Sequence, residues 1–288
     1  MFAIIGIVIV LGAVLGGYLM AHGNLAVLFQ PAELVIIGGA AFGTLFVANP
    51  MHVIKGVFAG LIGILKGNRY NKDLYLETLK MLNTLFVSAR KNGATKLEAD
   101  VEEPEKSDVF SKFPAFLANH HAVDFVCDTL RMSISGGVDP FQLDRMMELD
   151  MEVHHHEAVQ PSTALNTISD ALPGLGIVAA VLGVVITMGS LGGPPEQIGH
   201  HVAAALVGTF LGILMCYGLV GPLASNMTKI VDAEGAYYNV LRVGVMSYIR
   251  GNAPILSAEF ARRAVPHEVR PTFKEFEAAC KGAPAGAS

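Results

Sequence analysis

The sequence predicts an all-α chain, a polytopic membrane protein with four transmembrane helices and a helical cytoplasmic domain. Three observations predict it. Of 288 residues, 52% are hydrophobic and only 16% are charged, where a soluble domain carries about 25% charge. Four stretches near the length needed to cross a bilayer hold no Asp, Glu, Lys or Arg. All 20 basic residues lie elsewhere, in 55–170 and 224–288.

The first stretch, residues 1–21, is almost wholly apolar, and no charge occurs before Glu33. It lacks the basic start of a secretory signal and its apolar run is too long for one, so it reads as an uncleaved transmembrane helix. The second stretch is 34–54, between Glu33 and Lys55, with Pro50 near its end. The third is about 171–189 and the fourth about 202–223. Helix is the conformation that satisfies backbone groups within a lipid-embedded segment. The loops 22–33 and 190–201 each hold one acid, Glu33 and Glu196, and no basic residue. The positive-inside rule therefore places both loops outside and both termini and the middle segment in the cytoplasm. The expected organisation is 1–54 for the first two spans, 55–170 for a cytoplasmic helical domain, 171–223 for the last two spans, and 224–288 for C-terminal helices and a tail.

Within the cytoplasmic part, Leu74, Leu79, Leu82, Leu85, Phe86 and Ala89 form a helical stripe over 70–92, and Asn92-Gly93 supplies a stop. Residues 98–108 hold six acids and Pro104 and read as a solvated loop. A helix over about 120–134 ends at Gly136-Gly137. Asp139-Pro140 opens the next, with Asp as N-cap and Pro at the first helical position, and it runs towards Pro161. Thr272 and Glu275 have the spacing of a capping box for a short last helix. The ending GAPAGAS, 282–288, is expected to be disordered.

The spans lack intramembrane charge, and a proton or sodium pathway normally needs a carboxylate or similar group there. The chain is therefore expected to carry no ions alone: a partner helix supplies the titrating group, or nothing flows. Small residues recur at four-residue spacing at Gly12/Gly16, Gly39/Gly43, Ala179/Gly183 and Gly208/Gly212, spacing that lets helices approach closely. The hydroxyls in the spans, Thr44, Thr187 and Thr209, are expected to bond back to their own helices.

Other chemistry is poorly served. Net charge is −5, which argues against nucleic-acid binding. Three scattered cysteines form no disulfide or zinc pattern. His154-His155-His156-Glu157 lacks the spacing of a helical zinc site, so a solvated helix face is expected there and at His200-His201. No phosphate loop or nucleophile elbow is present. No enzyme, cofactor or metal is expected.

The motifs GGYLM at 16–20, QPAELVIIGGA at 30–40, LPGLGIVAAVLGVV at 172–185 and VGTFLGILMCYGLVGPLA at 207–224 resemble the MotA family of flagellar motor stator subunits. The related ExbB and TolQ energisers share the last two spans but have three spans in another order. The resemblance implies a homo-oligomer, a pentameric ring around a MotB dimer in the lipid of the bacterial inner membrane. In such an assembly MotB brings the intramembrane aspartate. It implies ion passage, of protons by the QPAE form of the second span, coupled to torque on the rotor protein FliG. Carried onto this sequence, it makes Arg90 and Glu98 the rotor contacts, with Lys91 and Lys96 as neighbouring charges that share the contact. Thr209 and Ala180 become ion-path residues facing the partner helix, Pro173 and Pro222 the coupling hinge, and Asp170 a weaker candidate.

Overall fold

The computed structural model describes residues 2–189, 192 and 194–281; the ending at 282–288 lies outside them. No strand occurs among the described residues. In chain order the helices are α1 (Phe2–Met20), α2 (Leu25–Leu28), α3 (Pro31–Ala48), α4 (Met51–Lys66), α5 (Lys72–Asn92) and α6 (Ala94–Glu102). They continue as α7 (Pro114–Leu117), α8 (His120–Ser135), α9 (Pro140–Gly189), α10 (Pro195–Ile213), α11 (Gly221–Ile249), α12 (Pro254–Ala264) and α13 (Phe273–Lys281). A π-helical turn, Leu214–Val220, joins α10 to α11. Four helical stretches among the described residues are long and apolar enough to cross a membrane, beginning at Phe2, Leu25, Pro140 and Pro195. The apolar parts of the last two are 171–189 and 202–223.

The second span ends earlier than the charge pattern suggests. Pro50 stops α3 at Ala48, because proline disfavours helix at the residue before it, and α4 restarts at Met51. The reverse holds for α9. It passes through Pro161 and Pro173 without a break, joining the cytoplasmic helix and third span that the sequence separates. The Pro161 ring is accommodated by Gly56 of α4, where a Cβ would lie 2.6 Å from its Cγ.

Contacts divide the chain into two units. One holds residues up to Asn68 with Ala158–Ile230; the other holds Arg69–Glu157 with residues from Val231 on. In the membrane unit, Leu45, Val53, Ile54 and Val57 pack with Leu165, Ala224 and Met227, and Ile37 and Ala41 pack with Leu172, Ala179 and Cys216. No residue of α1 is buried.

The other unit has a larger core. Tyr75, Leu79, Leu82 and Phe86 of α5 meet Phe125 and Leu130 of α8, Tyr237 and Leu241 of α11, and Ala261 of α12. The helix ends follow sequence. Asn71 Oδ1 accepts from Leu74 N at 3.0 Å, and Gly93 closes α5 at φ 84°. Asp139 Oδ2 accepts from Phe141 N at 3.0 Å. Thr272 and Glu275 bond reciprocally: Thr272 N donates to Glu275 Oε2 at 2.7 Å and Glu275 N donates to Thr272 Oγ1 at 3.3 Å.

Candidate functional site

The centre of the membrane unit is a glycine-lined contact between the third and fourth spans. A Cβ at Gly212 would lie 2.5 Å from the Leu172 carbonyl oxygen and 2.9 Å from Gly176 Cα. A Cβ at Gly183 would lie 2.8 Å from Ala205 Cβ. Only hydrogen fits there, so the two backbones run almost in contact. By contrast, Gly12, Gly16, Gly39 and Gly43 meet nothing within 4 Å. The same small-residue spacing thus packs helices in one place and leaves open surface in another.

Thr209 sits on this contact, its Cα 3.4 Å from where a Gly176 Cβ would be. Thr44 and Thr187 donate to Ala41 O and Gly183 O at 2.8 Å, as expected for helix hydroxyls. Thr209 departs from that expectation: its hydroxyl forms no hydrogen bond among the described residues. Ala180 is half-buried, one turn along α9 from Gly176 and next to the fully buried Ala179. Beyond it, Ile177, Val181, Leu182, Val184 and Val185 are exposed. A long apolar face of the third span therefore has no covering among the described residues.

The structure corrects the expectation of uncharged spans at one position. Glu33 is not a loop residue: it lies in the first turn of α3 and is 5% exposed. Its carboxyl fills the space left by Gly208 of α10, where a Cβ would be 2.6 Å from Oε2. Oε2 is buried without a hydrogen-bond partner. The signal was present in the sequence, as the sole charged residue before Lys55. Only the fold reveals that it is buried.

Pro173 lies inside α9, and Pro222 begins α11 after the π turn. The turn was not foreseen. Pro222 has no N–H to continue an α-helical ladder, and Gly221 N–H reaches back five residues to Cys216 O. Ser169 Oγ donates to that same carbonyl at 3.2 Å. The residues one turn before Pro173 and just before Pro222 are thereby joined. Asp170 is exposed beside them.

Arg90 and Glu98 are both exposed, on α5 and α6, which are separated by the turn at Gly93. The 98–108 segment is not a solvated loop, however. Asp100 is 1% exposed; it pairs with Lys96 at 3.1 Å and accepts from Ser107 Oγ at 2.8 Å. Ser107 Oγ in turn caps Val109 and Phe110 N–H. Lys96 is therefore committed to this buried acid. Lys91 stays exposed.

Nor do all three histidines face solvent. His155 and His156 do, but His154 is half-buried against Tyr238 and His121. Its Nε2 is 3.7 Å from Glu234 Oε1, which also accepts from Tyr70 OH at 2.8 Å and Arg69 Nη2 at 3.1 Å. Glu234 raises the His154 pKa against the lowering effect of burial. Burial would raise Glu234, but His154, Tyr70 and Arg69 outweigh it and hold the carboxyl below its usual value. No group of three His, Cys, Asp or Glu side chains suited to a metal occurs among the described residues.

Residues 118–239 match the family model of the MotA/TolQ/ExbB proton channel family, and residues 4–93 match that of the motility protein A N-terminal region. Four apolar helices and these two matches define the class, a membrane channel-family protein and not an enzyme. Over 277 residues the chain is 39% identical to motility protein A of Escherichia coli, spanning 96% of this chain and 94% of that one. It is 36% identical over 273 residues to chemotaxis protein LafT of Vibrio parahaemolyticus, covering 95% and 96%. The chain belongs to the motility protein A family. Its fold is that of MotAB from C. jejuni, with TM-score 0.76 and 17% identity over 94% of this chain and 98% of that one. The flagellar MotAB stator complex of Bacillus subtilis is similar at TM-score 0.73 and 23% identity, covering 92% and 96%.

Proposed function

We propose that this chain is a stator subunit of a bacterial flagellar motor. With MotB it forms a proton channel in the inner membrane, and proton flow drives torque on the rotor protein FliG. The observation that carries this reading is near-full-length identity of 39% to a motility protein A, joined to a fold shared with MotAB complexes. The physics agrees. α1 has no fully buried residue and the third span leaves an apolar face open, surfaces suited to lipid, to further copies of the chain, and to a partner helix. A pentameric ring around a MotB dimer would use all three. Both termini and the 55–170 segment lie in the cytoplasm, where the basic residues are.

In this reading Thr209 and Ala180 face the MotB aspartate, Pro173 and Pro222 couple membrane to cytoplasm, and Arg90 and Glu98 touch FliG. Asp170 lies at the entrance of the third span. Complementation tests the reading. A motA deletion strain carrying this gene with its cognate motB should swim equally with and without sodium. Failure to swim although the protein is inserted, or swimming that requires sodium, overturns it in whole or in its choice of ion.

A further inference from the structure

Arg242 and Arg250, about two turns apart on α11, share one acid of α9. Arg242 Nε donates to Asp144 Oδ1 at 2.6 Å, and Arg250 Nη2 donates to Asp144 Oδ2 at 2.8 Å. Beside them lies a cavity of about 190 Å³, lined also by Ser247, Asn252 and Phe260. Gly251, at φ 89°, turns the chain from α11 towards α12 and so returns Asn252 and Phe260 to the same cavity.

Three features suit this cavity to an anion. Its lining carries two guanidinium charges against the single carboxylate of Asp144, so it is net positive in a chain of net charge −5. Glu148, 3.9 Å from Arg242 Nη1, does not cancel the excess, because it is also paired with Arg145. Each guanidinium has five N–H groups and gives one to Asp144; neither makes another hydrogen bond among the described residues. Ser247 is buried, and its Oγ accepts from Asn252 Nδ2 at 3.1 Å. The hydroxyl proton of Ser247 meets no acceptor among the described residues. Donors and positive charge are thus both in surplus at one place.

The volume sets the size of the ligand. It is below the roughly 300–1,000 Å³ of a site for a drug-sized molecule and equals about six waters at about 30 Å³ each. An ion of a few heavy atoms fits, and a nucleotide does not. Guanidinium groups match phosphate oxygens in a parallel, two-point geometry. A tetrahedral ion also offers separate oxygens to two guanidiniums and a hydroxyl.

We propose that this cavity binds free inorganic phosphate, held by Arg242 and Arg250 with Ser247 as a further donor. Asp144 is the positioning residue: it fixes both guanidiniums while leaving most of their N–H groups to the ion. Phosphate bound only by the folded chain stabilises it by mass action. The site does not depend on whether the chain conducts ions.

The test is equilibrium dialysis of the purified complex with MotB, in detergent and chloride buffer, against radiolabelled inorganic phosphate. Binding should saturate at one phosphate per copy of this chain, and chloride at matched ionic strength should not displace it. Arg250 is largely exposed, so Arg250→Gln should assemble normally and weaken binding about tenfold or more, as loss of a charged donor does. Ser247→Ala should weaken it about threefold to tenfold. Phosphate should raise the thermal midpoint of wild type more than that of Arg250→Gln. A general salt effect would raise both alike. Absence of saturable binding, or displacement by chloride, overturns the site. So does binding of equal strength in wild type, Arg250→Gln and Ser247→Ala, which places the phosphate elsewhere. Should Arg250→Gln fail to assemble, Ser247→Ala decides alone, and unchanged binding in that variant overturns the proposal.

Discussion

The Leu172 carbonyl oxygen stands 2.5 Å from where any Cβ at Gly212 would begin. Both partners in this contact are backbone, so no side chain can yield. Gly212→Val should therefore force the third and fourth spans apart, at about 1–3 kcal/mol or more for an overpacked site. Gly16→Val, on open surface, should leave the isolated chain's thermal midpoint in detergent unchanged. Equal midpoints for the two variants would refute the packing argument. Loss of swimming in Gly16→Val despite normal stability would place the α1 glycines in contacts between chains.

The unit of Arg69–Glu157 and the residues from Val231 on has a pH signature of defined sign. His154 is raised by Glu234, so its contribution is full below its ordinary value near 6.5 and fades as pH rises through the raised one. Glu234 is lowered, so its contribution is full above its ordinary 4.5 and fades on further acidification. The pair is strongest between these limits. His154→Phe keeps a ring against Tyr238 and removes the charge. Its stability deficit should be about 0.5–1 kcal/mol in mild acid and should shrink above neutrality. A deficit independent of pH would mean that His154 acts by packing alone.

The four spans were legible because lipid excludes charge, and a run without Asp, Glu, Lys or Arg is visible in one dimension. The end of α5 was legible through Asn92-Gly93, and the starts of α9 and α13 because a side chain caps its own helix, as at Asp139 and Thr272. What failed to show depended on distant residues. Pro161 reads as a boundary, yet Gly56, over a hundred positions away, receives its ring. Asp100 reads as one of six solvated acids until Ser107 and Lys96 close over it. Glu33 marks a loop by its charge, and its burial depends on an absent side chain at Gly208. Arg90, Glu98, Pro173, Pro222, Thr209 and Ala180 entered through family motifs.

Thr209 is testable through the hydrogen bond it does not make. Thr209→Val keeps the branched shape and removes only the oxygen, so the tight contact with Gly176 survives. Because no hydrogen bond is lost within the chain, assembly with MotB and thermal stability should stay within about 0.5 kcal/mol of wild type. Proton flux through the unplugged complex should fall, since the hydroxyl is available to water or ion in the path. Thr187→Val serves as control, losing a helix back-bond without touching flux. Wild-type flux in Thr209→Val would return its hydroxyl to an ordinary helix residue.

Arg90 and Glu98 lie on opposite sides of Gly93, exposed and without an ion pair to each other or to any described residue. Exposed charges contribute little to folding, about 0–1 kcal/mol for a pair, so reversing them should leave expression, insertion and unfolding temperature unchanged. Such charges can still steer and register a partner that is gripped and released at each step. Arg90→Glu and Glu98→Lys should each reduce torque, measured as the speed of a bead on a flagellar stub under load. A matching reversal on FliG should recover part of the loss. Asp100→Ala, two residues from Glu98, provides the contrast. It removes the acceptor for Ser107 and the partner of Lys96, so it should cost about 1–3 kcal/mol of stability, and no change on FliG should rescue it. Suppression of Asp100→Ala by FliG, or full torque in both charge reversals, would move the rotor contact off these two residues.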